Sequence, residues 1–405
     1  MTAVDGTGPV PDPGASRLRL VHVVAGEPAE GLSGVGTHVL DLVTAQRDAG
    51  HHPMVVARHG TEFAARARRR DINIVSVARP DPLAAAHLLD RCSYVHEAAL
   101  VHAHGLLATA WALAGRVVGR LRWHAAPALV VTQHGVVDDD LRGPAKNRLD
   151  AASIRRADGV IVCAEGLAPR MRQWNPRAPI VCIPNGVADS DVPEHPAARA
   201  ELSRRFGLRP QVPLICFVGR LAPEKAPERV LHAVSALHAA AEDAHVMIVG
   251  SGPLEDFLRA ETQRLGLGAA VTFVGLQEDV ATYYAAADVV VLLSRTEATP
   301  RVLLEAMRAG APIVATDVGD VARLLGQGTW GALVPSGDID AAVAAIRRSL
   351  LHGRDGSDAA REHVRCHYGL AAMAAAVDDF YASVLNFAGV GEGDQSQCPE
   401  VPGGV

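Results

Sequence analysis

At 405 residues, 49% hydrophobic and 21% charged, the chain has the composition of an ordinary globular protein and the length for two α/β domains with full cores. A net charge of −6 gives no case for nucleic acid as the main partner. Cys92, Cys163, Cys182, Cys216, Cys366 and Cys398 form no Cys-x-x-Cys pair, which fits reduced thiols and a cytoplasmic setting.

Residues 1–17 are polar and rich in Gly and Pro, with no apolar core of a signal peptide, so a disordered tail is expected. Residues 18–24 form the first strand. A glycine-rich turn follows, Gly31-x-x-Gly34-x-Gly36, and a helix opens at Val39. Small residues there would let backbone N–H groups approach a phosphate, although a plain tight turn explains the spacing equally well. The spacing is not Gly-x-Gly-x-x-Gly, so a dinucleotide oxidoreductase gains little. Strands are expected over 52–57 and 72–77. Between them Arg58, Arg66, Arg68, Arg69 and Arg70 read as a solvated helix face, with a membrane-surface or acidic-acceptor contact as the alternative.

The strand over 99–105 carries His102 and His104, two apart and so on one face. A metal pair is conceivable, but no third ligand is evident nearby, so no metal is expected. His134 ends the strand over 129–135. Asp138-Asp139-Asp140 follows, either a divalent-metal loop or a run of solvated acids. Strands over 159–163 and 179–183 close the first half, Asn185-Gly186 is a turn, and 189–196 has the composition of a linker.

The second half restarts with a strand over 212–218 and the loop Gly219-Arg-Leu-Ala-Pro-Glu-Lys225. Arg220 and Lys225 are spaced to converge on one diphosphate, Arg as a fork and Lys as a point charge; two surface bases are the plainer reading. Further strands are expected over 244–249, 270–275 and 288–293. The string from Ser294 to Thr316 then reads as loop, helix, tight turn and strand, with Pro300 at the helix start and Gly310 and Pro312 ending it. Glu297 and Glu305 stand seven residues apart in it. Glu305 lies among Val302, Leu303, Leu304, Ala306 and Met307, and a lone carboxylate there needs a partner or a ligand. The last strand covers 332–335, a helix 371–388, and a second disordered tail 389–405. No apolar run approaches the ~18 residues a membrane span needs.

The string from Ser294 to Thr316 resembles the Glu-x7-Glu signature of retaining glycosyltransferases of family four. The Gly219–Lys225 loop and the positions of His104 and His134 match the same family over roughly residues 18–388. The resemblance implies an α/β fold of two facing Rossmann-like domains of the GT-B type. Residues 18–190 would form the acceptor-side domain and 191–370 the nucleotide-sugar domain, with the helix 371–388 crossing back to the first. It implies sugar transfer from a nucleotide-diphosphate sugar, a UDP-sugar favoured, to a small-molecule, natural-product or glycoconjugate acceptor, with no cofactor and no obligatory metal. Gly34 would face the donor diphosphate, Arg220 and Lys225 neutralise it, and the backbone of Arg301 and Val302 add N–H groups. Glu305 would hold the ribose, Glu297 a donor hydroxyl, and His104 the donor sugar, with His134 on the acceptor side. Ser33 stands where the family usually has the first of two glycines, and Ala298 and Pro300 replace a glycine pair. A sugar-nucleotide epimerase, a pseudo-glycosyltransferase and a non-catalytic binding protein are the rival readings. The retained Arg220, Lys225, Glu297 and Glu305 speak against the last.

Overall fold

Runs of β-branched and aliphatic residues become parallel strands here because helices cover both faces of each sheet, leaving no solvated side to demand alternation. In the computed structural model, which describes residues 17–28, 32–78, 82–122, 126–135, 144–189 and 191–390, thirteen such strands form two sheets. The expected tails up to Ser16 and beyond Val390, Gly31 and Asp138-Asp139-Asp140 lie outside the described residues.

The first sheet holds β1 (Arg19–Val24), β2 (His52–Arg58), β3 (Ile74–Val77), β4 (Leu100–His104), β5 (Ala128–Gln133), β6 (Gly159–Val162) and β7 (Ile180–Cys182), in the order β3-β2-β1-β4-β5-β6-β7. The second holds β8 (Leu214–Val218), β9 (His245–Val249), β10 (Val271–Gly275), β11 (Val289–Leu292), β12 (Ile313–Thr316) and β13 (Ala332–Val334), in the order β10-β9-β8-β11-β12-β13. Both orders reverse once, between β1 and β4 and between β8 and β11. In open parallel sheets such reversals place ligands beyond the carboxyl ends of the strands.

Strand alternation splits the first sheet's core in two. Val21, Val23, Val101, Ala103, Leu129 and Val131 pack on one side. Leu20, Leu100, Val130 and Ile161 pack on the other, against Met373, Ala374, Val377, Phe380, Tyr381 and Val384 of the helix Leu370–Val390. That helix is the expected crossing helix, longer than the sequence suggested. Its contact side recurs every three to four residues, as a helical stripe must. Gly159 makes the approach possible: a Cβ there would stand 2.6 Å from Val384 Cγ2. By length and composition its segment Leu370–Phe387 could also cross a membrane. This corrects the expectation of no such run, though a helix packed against a sheet passes the same test.

The two interdomain connections touch. Val187 accepts the Leu370 N–H at 3.0 Å and donates to Tyr368 at 2.9 Å, a bridge paired with Gly369. The expected linker at 189–196 therefore begins beside the start of the crossing helix, and the helix His195–Phe206 already occupies its end.

Candidate functional site

In the second domain the site forms where β8 and β11 end. The chain turns after Val218 into Gly219-Arg220 and a single 3-10 turn, Pro223–Lys225. Arg295 N–H donates to the Glu224 carbonyl at 2.9 Å, tying this loop to the one after β11. Lys225 Nζ lies 2.6 and 2.7 Å from the two carboxylate oxygens of Glu297, which also accepts from Ser294 Oγ at 2.7 Å. Gly319 (φ +58°) lets the backbone pass: a Cβ there would fall 2.0 Å from the Glu297 carbonyl oxygen. Arg220 is largely exposed, its nearest carboxylate Glu224 at 3.9 Å.

The helix Arg301–Arg308 starts after Pro300, which caps it from outside rather than forming its first turn, and its first bond runs from Leu303 N–H to the Pro300 carbonyl. Val302 packs partly buried against the second domain's core. Glu305 receives the Tyr284 hydroxyl at 3.0 Å and faces Arg301 at 3.5 Å. Burial pushes its carboxyl above the usual range, and Arg301 opposes that. The partner demanded by a lone acid in an apolar helix is thus a phenol and a guanidinium. Arg301 enters through its side chain as well: Nη2 is 2.7 Å from Asp41 of the first domain, and Nη1 donates to the Gly186 carbonyl at 2.8 Å.

In the first domain the helix Gly34–Asp48 opens under Ser33, whose hydroxyl accepts the Gly36 N–H at 3.1 Å while its own N–H donates to Glu27 at 3.0 Å. Ser33 in place of a glycine is therefore the helix cap. A Cβ built on Gly34 meets nothing within 4 Å, so Gly34 borders open space. One turn on comes His38, then Asp41, on the same helix face.

Behind this helix lies a buried array of histidines. His22 on β1 is in register with His102 on β4. His104 Nε2 is 3.1 Å from His22 Nδ1, and His104 Nδ1 is 3.2 Å from His134 Nε2. His134 Nδ1 faces Cys163 Sγ at 3.5 Å. At the other end His22 Nε2 meets Gln46 Oε1 at 2.9 Å, and Gln46 donates to Asp378 of the crossing helix at 2.9 Å. A carboxylate accepts only, which fixes every proton in the chain. Gln46 must turn its carbonyl to His22, so His22, His104 and His134 each carry hydrogen on Nε2, and the Cys163 thiol donates to the last imidazole. Burial supports these states. It lowers His22 and His134 to about 4, holds His102 and His104 well below the ordinary histidine value together with neighbouring imidazoles, and raises Cys163 to about 12.

The expectation that no third ligand stands near His102 and His104 is overturned. His22 with His102 and His104, and His38 with His104 and His134, each bring three ring nitrogens within 4.8 Å, close enough for one metal ion. Hydrogen bonds already serve most of them. His102 spans Tyr381 (2.5 Å) and Thr132 (2.6 Å), and both nitrogens of His22, of His104 and of His134 have the partners above. His38 has Asn185 beside its ring, and burial, with His134 and Arg301 next, holds it well below the ordinary histidine value.

The two halves meet. Asn185 Nδ2 donates to the Thr299 carbonyl at 2.8 Å, Thr299 Oγ1 donates to the Cys163 carbonyl, and Glu165 N–H donates to Asp320 at 2.9 Å. Arg69 reaches Glu278 at 2.8 Å, so the basic cluster expected to face solvent lies partly against the second domain. The structure thus brings Lys225 to Glu297, Arg301 to Glu305 and His104 to His134, while Arg220 stands apart. Sequence reading missed Asp41, His22, His38, Gln46, Asn185, Tyr284 and Asp378.

Two family models cover most of the chain: Glycosyltransferase Family 4 matches residues 32–191, and Glycosyl transferases group 1 matches 198–364. A 2-deoxystreptamine glucosyltransferase of Streptomyces kanamyceticus is 30% identical over 62% of this chain and 67% of its own length. A GDP-mannose-dependent alpha-(1-6)-phosphatidylinositol monomannoside mannosyltransferase of Mycobacterium tuberculosis is 30% identical over 51% of this chain, which spans 57% of that relative. Among solved structures, the Anabaena HepE protein in complex with UDP-glucose superposes with a TM-score of 0.79 at 20% identity, over 91% of this chain and 100% of that one. Sucrose-phosphate synthase from Thermosynechococcus elongatus gives 0.76 at 22%, over 92% and 100%. Both share the two-domain fold described above.

Proposed function

Because the chain belongs to glycosyltransferase family 4, among the group 1 glycosyl transferases, we propose that it moves a sugar from a nucleotide-diphosphate sugar to an acceptor hydroxyl with retention of anomeric configuration. The observation that carries this reading is the Lys225–Glu297 pair at the ends of β8 and β11, followed at once by the helix Arg301–Arg308 with Glu305 against its first residue, Arg301. In the reaction the bond from the anomeric carbon to the diphosphate oxygen breaks. The acceptor oxygen attacks from the same face, and its proton passes to the leaving phosphate. Arg220 and Lys225 neutralise the charge that develops there, helped by the Arg301 and Val302 N–H groups. Glu305 holds the ribose hydroxyls, Glu297 orients the donor sugar, and Gly34, His104 and His134 form the first domain's wall of the cleft. A UDP-sugar is the favoured donor, in keeping with the structural neighbour solved with UDP-glucose. The acceptor is a small molecule, natural product or glycoconjugate.

Calorimetric titration with UDP, GDP and ADP in chelator, followed by mass spectrometry of reactions with a sugar-nucleotide panel, tests this. Metal-independent binding of one nucleotide and transfer from its sugar are expected. Absence of nucleotide binding sinks the proposal. Binding that vanishes with divalent ions removed overturns the role of Arg220 and Lys225 and turns attention to Asp138-Asp139-Asp140.

A further inference from the structure

Arg301 and Glu305 stand one helical turn apart, the spacing at which an Arg and a Glu on a free helix close an ion pair. Here that pair is held open. Arg301 Nη2 is 3.5 Å from Glu305 Oε1 but 2.7 Å from Asp41 Oδ2, on the first domain's helix Gly34–Asp48. Arg301 Nη1 donates to the Gly186 carbonyl at 2.8 Å, beside Val187, which bridges to Gly369 just before the crossing helix. Asp41 is fixed in turn by Arg70, whose Nη1 donates to its other oxygen at 2.9 Å. One guanidinium therefore touches the second domain, the first domain and the segment joining them.

Exposure divides the three groups. The side chains of Arg301 and Asp41 are 10% and 9% exposed and that of Glu305 is 27% exposed, so the acid alone keeps a face for a ligand. Tyr284 already donates to Glu305 Oε2 at 3.0 Å. A closed pair would put a guanidinium on Oε1 as well, and a ribose hydroxyl would have to compete with it. Burial raises the Glu305 carboxyl, Arg301 lowers it and Asp41 raises it, so the three groups act on one another. We propose that Asp41 is a positioning residue for the donor's ribose: by holding Arg301 it keeps Glu305 free to accept the ribose hydroxyls, and it ties nucleotide binding to the seating of the first domain. Removing Asp41, or parting the two helices, returns Arg301 to Glu305. Ribose binding and domain seating then favour each other, by the reciprocity that any two coupled equilibria obey. This rests on the sugar-transfer reading above and adds a first-domain residue that acts on the nucleotide without touching it.

The test titrates full-length wild type, Asp41→Asn, Asp41→Glu and the double variant Asp41→Asn/Arg301→Gln calorimetrically with UDP, GDP and ADP, then with the 2′-deoxy form of whichever the wild type binds. The readout is the ratio of ribo to deoxy affinity, because a merely structural loss lowers both alike. The wild type prefers the ribo form about tenfold or more, the worth of one hydrogen bond to a charged group. Asp41→Asn cuts that preference to about threefold or less, and Asp41→Glu keeps it. Adding Arg301→Gln to Asp41→Asn restores it, where independent losses would add. Should asparagine unfold the helix in thermal melts, Asp41→Ser makes the same comparison with a neutral oxygen acceptor. An unchanged ribo preference in a folded, neutral Asp41 variant overturns the proposal, as does a double variant that fails to regain it. A wild type that binds nucleotides without preferring the ribo form overturns the ribose role of Glu305 and the proposal with it. One that binds none of them overturns the sugar-transfer reading itself.

Discussion

Lys225→Met is the perturbation whose size the structure lets us work out. At 2.6 Å and an effective dielectric near 20, the attraction between Lys225 and Glu297 is about 6 kcal/mol before desolvation. Removing one partner of a buried pair costs about 3–5 kcal/mol, because the other charge is left behind. Glu297 is 6% exposed, but Lys225 is 22% exposed and the Ser294 hydroxyl remains, which places the loss near the lower bound, about 3 kcal/mol. For a domain of this size that is a fall in Tm of roughly 6–12 °C. Glu297→Gln should cost less, since the ammonium it strands can swing to water. The double variant should recover about 2 kcal/mol of the summed single losses. Calorimetric unfolding of all four proteins without nucleotide supplies the cycle. The pair also competes with the substrate. Lys225 can neutralise a diphosphate fully only by sharing or leaving Glu297, so Glu297→Gln should tighten nucleoside diphosphate binding about fivefold, ~1 kcal/mol, while lowering kcat. Additive single losses within about 0.5 kcal/mol, with unchanged nucleotide affinity, would refute the pairing and the role assigned to it.

Glu305→Ala should mainly raise KM for the donor, since ribose contacts are alike in ground and transition states; steady-state kinetics in which kcat alone falls would contradict this. Burial lowers the His22 pKa to about 4 in the folded protein, against 6.5 in the unfolded chain, so between those values unfolding takes up a proton. Its contribution is therefore fully present above pH 6.5 and lost as pH falls toward 4, on the order of 3 kcal/mol. Denaturant melts across that window should show stability declining with acidity, and His22→Asn should lessen the decline while the other buried imidazoles keep the rest of it. Deleting residues from Leu370 onward uncovers Leu20, Leu100, Val130 and Ile161 and should abolish transfer and the first domain's cooperative unfolding, which calorimetry would show. Glu278→Lys sets like charges against Arg66 and Arg69; scattering should show a larger radius of gyration at low salt, shrinking toward wild type as salt screens the repulsion.

The second domain was the legible half. Its strands carry unbroken apolar runs, and its chemistry is packed into two short strings, Gly219 to Lys225 and Ser294 to Thr316, where spacing along the chain is spacing in the site. Pairing among those residues was less visible. Lys225 and Glu297 lie 72 positions apart and meet only because β8 and β11 adjoin. The histidine array was illegible for the same reason on a larger scale. His22 and His102 share a register only once β1 and β4 are known to be neighbours, and Gln46 reaches Asp378 across 332 positions. One signal was there to be used: in a sheet that reverses after its first strand, β1 and β4 lie side by side, so a histidine on each invites the question of phase. His38 carried no signal of its own, because its neighbours His134 and Asn185 are distant in sequence.

The crossing helix imposes a timetable on synthesis. Strands β1 to β7 leave the ribosome with one face of their sheet bare, and the cover for Leu20, Leu100, Val130 and Ile161 is encoded roughly 190 residues later, some 10–40 s at ordinary elongation rates. The second domain, continuous in sequence, can fold during that wait, while the first stays open and exposes an apolar surface that a nascent-chain chaperone would shield. The same helix delivers Asp378, the acceptor on which the histidine protons are ordered. A chain stalled before that point therefore owns every motif of the nucleotide half and still lacks the ordered wall on the other side of the cleft.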